Sequence, residues 1–289
     1  MSEVKSIEKV KNIWPKDAPN IDNVEKYFKK YKDELIVIKY GGNVLIDRNF
    51  FNNFIEDISI LNKLGLAIVI VHGGGPRIKR ELDKANISTK FINGLRVTDK
   101  KIIKIVENVL IEFNIDIVSS LNKKNSEAVS INSATNNIIS VIPEKEELGF
   151  VGTPDKINTN IIRDIIKKKQ IPVVAPLGLG GNNQPFNING DTAAGAIAKS
   201  LNSRRLLLMT NVEGVLNKEK NLIAEISSSK ILEMIDDGTI TGGMIPKINT
   251  CLDAVTNGVR GVAIIDGRQP HSILFEIFSD KGAGTLIRK

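Results

Sequence analysis

The chain predicts an α/β fold built on a central, mostly parallel sheet, and two features of its pattern carry that prediction. Short apolar runs alternate with helix-period segments from Leu35 to the C-terminal end, the mark of strands and helices wound around one sheet. Strand, glycine turn and helix also succeed one another twice between Ile36 and Leu82.

The elements follow in order. Ile36 to Ile38 reads as a buried strand leading into Lys39-Tyr40-Gly41-Gly42. Phe51, Phe54, Ile55, Ile58 and Leu61 then share one helical face, and Gly65 closes that helix. Ala67 to Val71 is the next strand, ending in His72-Gly73-Gly74-Gly75, with Pro76 suited to the first turn of a helix. Thr98 reads as the N-cap of a long helix with the stripe Ile102, Ile103, Val106, Val109, Leu110, Phe113 and Ile117, whose length points to an interface. Ala128 to Ile131 and Asn137 to Ile142 read as short strands of a flap beside the main sheet. Ile171 to Ala175 is another buried strand, and the loop from Gly178 to Asn189 predicts a lobe boundary. Beyond it come a helix from Asp191, a strand from Leu206 to Met209, the loop Thr210 to Gly214 and a helix around Lys230 to Ile235. A helix opening near Met244 behind Gly242-Gly243 follows, then strands at Val262 to Ile265 and Thr285 to Ile287. The expected organisation is an N-terminal segment (1–34), a first lobe (35–185) and a second lobe (186–289).

Composition bounds the function. At 289 residues with 42% apolar content the chain can bury a large core. Its net charge of +7 fits anionic small molecules better than nucleic acid, because the lysines are scattered and the 5% aromatics form no stacking motif. One cysteine, Cys251, rules out an internal disulfide, and two histidines cannot build a zinc-type cluster. No apolar run is long enough to span a membrane, and residues 1–34 resemble neither a presequence nor a secretory signal, so a cytoplasmic location is expected.

Glycine turns between strand and helix let backbone N–H groups close on a phosphate, aided by the partial positive charge of the helix N-terminus. Either turn alone is better explained by tight chain reversal. Their repetition, with Lys39 two residues before Gly41, favours a polyanionic ligand. The sequence has neither a P-loop nor the protein-kinase motifs, and Gly178-Leu179-Gly180 does not extend to a dinucleotide fingerprint. Lys39 falls at the C-terminal end of a buried strand, where open α/β sheets bind ligands. Lys247 lies one turn into a helix behind two glycines, where the helix dipole opposes a cation unless an anion is near. Asp191 reads either as a helix N-cap or as a site residue, and Arg96 either as a surface residue or as a bidentate carboxylate partner.

Taken together, Lys39-Tyr40-Gly41-Gly42, His72 to Pro76, Asn93-Gly94-Leu95-Arg96-Val97-Thr98, Asn187 to Ala194 and Gly242 to Lys247 resemble the amino acid kinase family, and within it the acetylglutamate kinases, over residues 35–289. The resemblance implies a three-layer αβα sandwich in two lobes. It also implies ATP-dependent phosphorylation of the side-chain carboxylate of N-acetyl-L-glutamate, the second step of arginine synthesis. By the same resemblance Lys39 and Lys247 are catalytic and Asp191 orients them. Gly41, Gly42, Gly73 and Gly74 approach phosphate, with Gly73, Gly74, Arg96 and Asn187 on the acceptor. Thr210, Asn211, Gly214, Gly242, Gly243 and Met244 are implied for the nucleotide. ATP is the co-substrate and Mg2+ rides mainly on its oxygens, with no direct protein ligand. Between Ala128 and Val141 the chain lacks the Gly-rich run with a Gly-Lys-Asp that the family often carries.

Val24, Tyr27, Phe28 and Tyr31 form an apolar stripe on a helix before the first strand. The resemblance implies that this helix joins subunits into a homohexamer, a trimer of dimers, inhibited by L-arginine at a site including Tyr27, Lys199, His271, Glu276 and Gly284. The alternatives are another amino acid kinase, acting on glutamate, aspartate, carbamate or a nucleoside monophosphate, and a non-catalytic arginine sensor of the same fold. A nucleic-acid or membrane role is not expected.

Overall fold

A computed structural model describes residues 7–42 and 47–289; the first six residues of the expected N-terminal segment lie outside the described residues. Helix α1 (Asn23–Tyr31) precedes strand β1 (Leu35–Tyr40), helix α2 (Arg48–Leu64), β2 (Ala67–His72) and α3 (Gly75–Lys84). A hairpin of β3 (Phe91–Ile92) and β4 (Leu95–Arg96) leads to the long α4 (Lys100–Lys123). Then come β5 (Ala128–Ile131), β6 (Ile139–Pro143), β7 (Gly152–Ile157), α5 (Thr159–Lys167), β8 (Ile171–Val174), β9 (Leu177–Leu179) and β10 (Pro185–Asn187). The remainder is α6 (Gly190–Ser200), β11 (Arg205–Thr210), β12 (Glu225–Ser227), α7 (Ser228–Asp236), α8 (Met244–Thr256), β13 (Val262–Asp266), α9 (Ser272–Phe278) and β14 (Gly284–Arg288).

Eight strands form one sheet in the order β12-β14-β13-β11-β1-β2-β8-β5, parallel throughout except where β13 meets β14. The side-chain period of two divides each strand between two cores. Ile36, Ile38, Ile68, Ile70, Leu207 and Met209 face the layer of α1, α2, α4 and α9. Val37, Val69, Val71, Leu206, Leu208 and Ile264 face the layer of α5 to α8. This is a three-layer αβα sandwich. Since β1 pairs with both β2 and β11, the sheet runs unbroken across the expected lobe boundary.

Three sequence expectations are corrected here. Residues 128–131 are not part of a flap: β5 is the outer strand of the main sheet, parallel to β8, while β6 joins β7, β9 and β10 in a separate four-stranded sheet. Thr98 does not cap α4. Asp99 does, its carboxylate accepting from the N–H groups of Lys101 and Ile102 at 2.8 Å, while the Thr98 hydroxyl turns back to the Arg96 carbonyl. The stripe of Val24, Tyr27, Phe28 and Tyr31 is buried inside its own chain against α9, so the subunit contact expected of this helix would not use that stripe.

Candidate active site

β1 and β2 are adjacent and parallel, with Tyr40 in register with His72, so both glycine turns emerge side by side at the C-terminal edge of the sheet. The N–H of Gly73 donates to the Tyr40 carbonyl at 2.7 Å. That bond ties the turns together, and it also removes Gly73 from the set of expected phosphate donors. Gly74 and Gly75, at the N-cap and first position of α3, hold N–H groups that the helix does not use. Gly42 turns with φ at +81°, a conformation costly for any residue with a β-carbon, and lies against the Asn211 N–H and the Thr210 Cα.

Asn189, not Asp191, caps α6: its side-chain oxygen accepts from the N–H groups of Asp191 at 2.9 Å and Thr192 at 3.2 Å. The Asp191 carboxylate is thereby free to stand between two lysines, with Lys39 Nζ 2.8 Å from one oxygen and Lys247 Nζ 2.5 Å from the other. Gly190 makes room, since a β-carbon there would press on Lys39 Cε at 3.2 Å. Burial pushes the Asp191 carboxyl up, but Lys39 and Lys247 together outweigh it and hold the group well below the usual carboxylate range. Burial also lowers the Lys39 ammonium, opposed by Asp191 and reinforced by Lys247.

A cavity of about 260 Å³ opens beside this trio, lined among others by Lys39, Gly42, Gly73, Gly74, Arg96, Asn187 and Asp191. Arg96, 7% exposed, stacks over the Phe91 ring at 4.7 Å and donates through Nη2 to the Gly75 carbonyl at 3.4 Å. Its Nη1 is buried without a partner. Such a donor demands an acceptor, and a carboxylate in the cavity would supply one. The Asn187 amide donates to the Thr98 hydroxyl at 3.4 Å, which fixes its orientation at the cavity wall.

The residues expected around the nucleotide do not line that cavity. Thr210 ends β11 and is buried; Asn211 follows; Gly214 lies against Thr285. Gly242 (φ +57°), Gly243 and Met244 open α8, whose first turn carries Lys247. Gly41 lies under the Lys39 ammonium, where a β-carbon would collide with it. Among the described residues no three Asp, Glu, His or Cys side chains converge as a metal site, and no helix is long and apolar enough to cross a membrane.

The expected arginine-site residues are only partly assembled. Tyr27 bonds Asp280, on the segment after α9. Glu276, on α9, is buried and accepts from the Ala283 N–H at 3.0 Å; burial raises its carboxyl, while Arg205 and Lys30 pull it down. Sequence reading passed over Lys30 and Arg205, although a basic residue opening the otherwise apolar β11 was a usable signal. Lys199 pairs with Asp253 between α6 and α8, on the face of the sheet opposite Glu276, and so is not brought to it. His271 sits at the start of α9 with Nδ1 2.6 Å from Asp57. Gly284 is explained by packing, since a β-carbon would strike the Ile264 carbonyl.

Two cations sharing one acid beside glycine N–H donors, at the ligand edge of a doubly covered parallel sheet, define a phosphoryl-transfer site that works by charge and position. Residues 34–266 match the amino acid kinase family, and the chain belongs to it. It is similar to the acetylglutamate kinase of Pelagibacter ubique, 56% identical over 98% of each chain, and to that of Methylobacterium nodulans, 44% identical over 91% of each. Its fold is shared with the Neisseria gonorrhoeae N-acetylglutamate synthase solved with coenzyme A and L-arginine (TM-score 0.80, 21% identity), covering 93% of this chain and 64% of the synthase chain.

Proposed function

We propose that the chain transfers the γ-phosphoryl group of MgATP to the side-chain carboxylate of N-acetyl-L-glutamate, the second step of arginine biosynthesis. The observation that carries the reading is the buried Arg96, its Nη1 without a partner, on the wall of a cavity that also presents the Lys39–Asp191 pair. Arg96 grips the α-carboxylate and Asn187 the acetamido end. The side-chain carboxylate is already a nucleophile, so no general base is required. Its oxygen forms a bond to the γ-phosphorus while the bond to the β–γ bridging oxygen breaks, and ADP leaves with that electron pair. Lys39 neutralises charge on the transferring group and Lys247 on the leaving side. Asp191 keeps the two ammonium groups apart and aimed. Gly42 and Gly74 supply backbone donors. Magnesium arrives on the ATP oxygens, and the adenosine end occupies the side of Thr210, Asn211, Gly214 and the Gly242-Gly243 turn. A lysine–phosphate contact near ~4 Å contributes ~4 kcal/mol at an effective dielectric of ~20, so loss of either lysine lowers the rate at least ~100-fold.

ADP release measured side by side with N-acetylglutamate, glutamate and aspartate tests the assignment. N-acetylglutamate is the preferred acceptor; preference for unacetylated glutamate would sink the assignment while sparing phosphoryl transfer.

The same proposal includes feedback inhibition by L-arginine near Glu276 and Tyr27, with His271 and Gly284 at its margins and Lys199 withdrawn. A buried carboxylate is the natural partner of a guanidinium, which supports this reading. Unchanged ADP release at saturating arginine would refute it. A cytoplasmic homohexamer completes the proposal, and sedimentation of the full chain measures its assembly.

A further inference from the structure

His72 is fully buried at the end of β2, does not itself line the cavity, and has been assigned no part in the reaction above. Its ring lies edge-on to Phe113 at 5.1 Å. Nδ1 is 2.8 Å from the Gly73 carbonyl, which can only accept, so Nδ1 carries the hydrogen. Nε2 is 3.2 Å from the Asn114 amide nitrogen. That amide is itself oriented, because it donates to the Val173 carbonyl at 2.9 Å while its oxygen accepts from the Ser130 hydroxyl at 2.5 Å. Asn114 therefore presents N–H to Nε2 and admits only the neutral, Nδ1-protonated ring. Burial, reinforced by the charge of Arg77 against the opposing Gly73 bond, lowers the ring's ionisation to about 4.

The consequence falls on one peptide. The Gly73–Gly74 unit has glycine on both sides, so its plane is cheap to flip. It is trans, and in a trans peptide the C=O and N–H point in opposite directions. Holding the Gly73 carbonyl against the buried ring turns the Gly74 N–H away from that ring. The peptide before it is held separately, by the bond from Gly73 N–H to Tyr40.

We propose that His72 is a positioning residue for phosphoryl transfer: locked by Asn114 as the Nδ1–H tautomer, it pins the Gly73–Gly74 peptide so that the Gly74 N–H faces the transferring phosphoryl group. The inference rests on the function proposed above. It gives the network of His72, Asn114 and Ser130 a positioning role, although none of the three lines the cavity.

Three variants separate positioning from packing. Asn at position 72 places an amide N–H near Nδ1, whereas Gln places one near Nε2, so His72→Asn can hold the Gly73 carbonyl and His72→Gln cannot. His72→Leu holds neither partner. Removing one oriented donor from a phosphoryl or oxyanion site costs about 100-fold in kcat. His72→Leu and His72→Gln lose about that factor, with KM for acetylglutamate changed less than about three-fold, while His72→Asn stays within roughly ten-fold of the parent kcat. Thermal unfolding of the Asn and Gln variants shifts alike. Equal kcat losses in Asn and Gln variants of equal stability would show that His72 only fills space. A readout on the unsubstituted protein does not depend on any variant folding. With only two histidines in the chain, ring-¹⁵N-labelled histidine gives two sets of signals, and His72→Asn or the Asp57 contact of His271 assigns them. The His72 ring shows a protonated Nδ1 and bare Nε2 at neutral pH. An Nε2–H tautomer would overturn the inference and leave the proposed function standing. Failure of the unsubstituted chain to release ADP with acetylglutamate would overturn the function, and the tautomer would still be read.

Discussion

Asp191→Asn keeps the shape of the shared acid and removes its charge, leaving the ammonium groups of Lys39 and Lys247 facing each other across one amide. The two ion pairs are 2.8 and 2.5 Å long, and all three side chains are no more than 15% exposed. At an effective dielectric of ~20 a pair at 2.8 Å attracts by about 6 kcal/mol before desolvation is counted. Removing one partner of a buried pair costs about 3–5 kcal/mol net, because the remaining charge stays uncompensated. With a urea slope of about 3 kcal/mol per molar, the unfolding midpoint falls by about 1 M or more. Phosphates are the natural replacement for the lost carboxylate, so MgATP raises the variant's midpoint by more than it raises the parent's. Activity carries a second signature. Lys39, already lowered by burial and by Lys247, loses the neighbour that raises it. Its charged fraction, and kcat with it, therefore falls at lower pH in the variant than in the parent. Urea titrations with and without nucleotide, and kcat measured from neutral to alkaline pH, check both. A variant with an unshifted midpoint and an unaltered pH profile would refute the view that Asp191 organises the two cations.

Arg96→Ala removes a charge-assisted contact of about 1.5–3 kcal/mol and so raises KM for acetylglutamate roughly 10- to 100-fold, leaving KM for ATP in place; initial rates at varied acceptor decide it. Gly42→Ala forces a β-carbon into φ +81° and strains the first turn by about 1 kcal/mol, which appears as weaker nucleotide affinity by calorimetry before it appears in acceptor KM. Burial raises the Asp57 carboxyl to about 6 against the opposing pull of His271, whose own ionisation Asp57 raises in return despite burial. A carboxyl raised from 3.8 and a histidine raised from 6.5 both favour the protonated folded chain. Their contribution is complete below about pH 4 and is lost as pH climbs through about 6 and beyond. Relative to Asp57→Asn, the parent chain thus loses stability over that range, and an equal difference at all pH values would contradict the assignment. Lys199→Ala leaves the response to L-arginine intact, whereas Glu276→Gln removes it, as inhibition curves for the two variants will report.

The sandwich was legible because its strands are continuous apolar runs and its helices keep a regular stripe, and both patterns follow from burial on two faces of a parallel sheet. Lys39, Asp191, Lys247 and Arg96 could be picked out because charge in apolar surroundings needs a reason. What sequence could not give was where each hydrogen bond ends. Asn189 and Asp191 are both good caps, and only the backbone decides that Asn189 takes the role and releases Asp191. Thr98 and Asp99 compete in the same way. Gly73 looked like a phosphate donor until its N–H was found on Tyr40. Strand pairing was equally hidden: Ala128 to Ile131 reads as a short strand in any context, and its membership of the main sheet depends on Ile171 to Val174 lying beside it. The place of Lys199 was hidden for a related reason, since α6 can pack on either face of the sheet until the chain's path is known.

The bond from Gly73 to Tyr40 makes the sheet itself a measuring rod. Neighbouring strands stand about 4.8 Å apart, and each of the two turns continues one of those strands, so the spacing between the turns is written in backbone geometry. Side chains around the cavity can be exchanged to admit a different acceptor without altering that gap. A change of ligand in such a scaffold is then a matter of lining, while the spacing of the two turns is inherited intact.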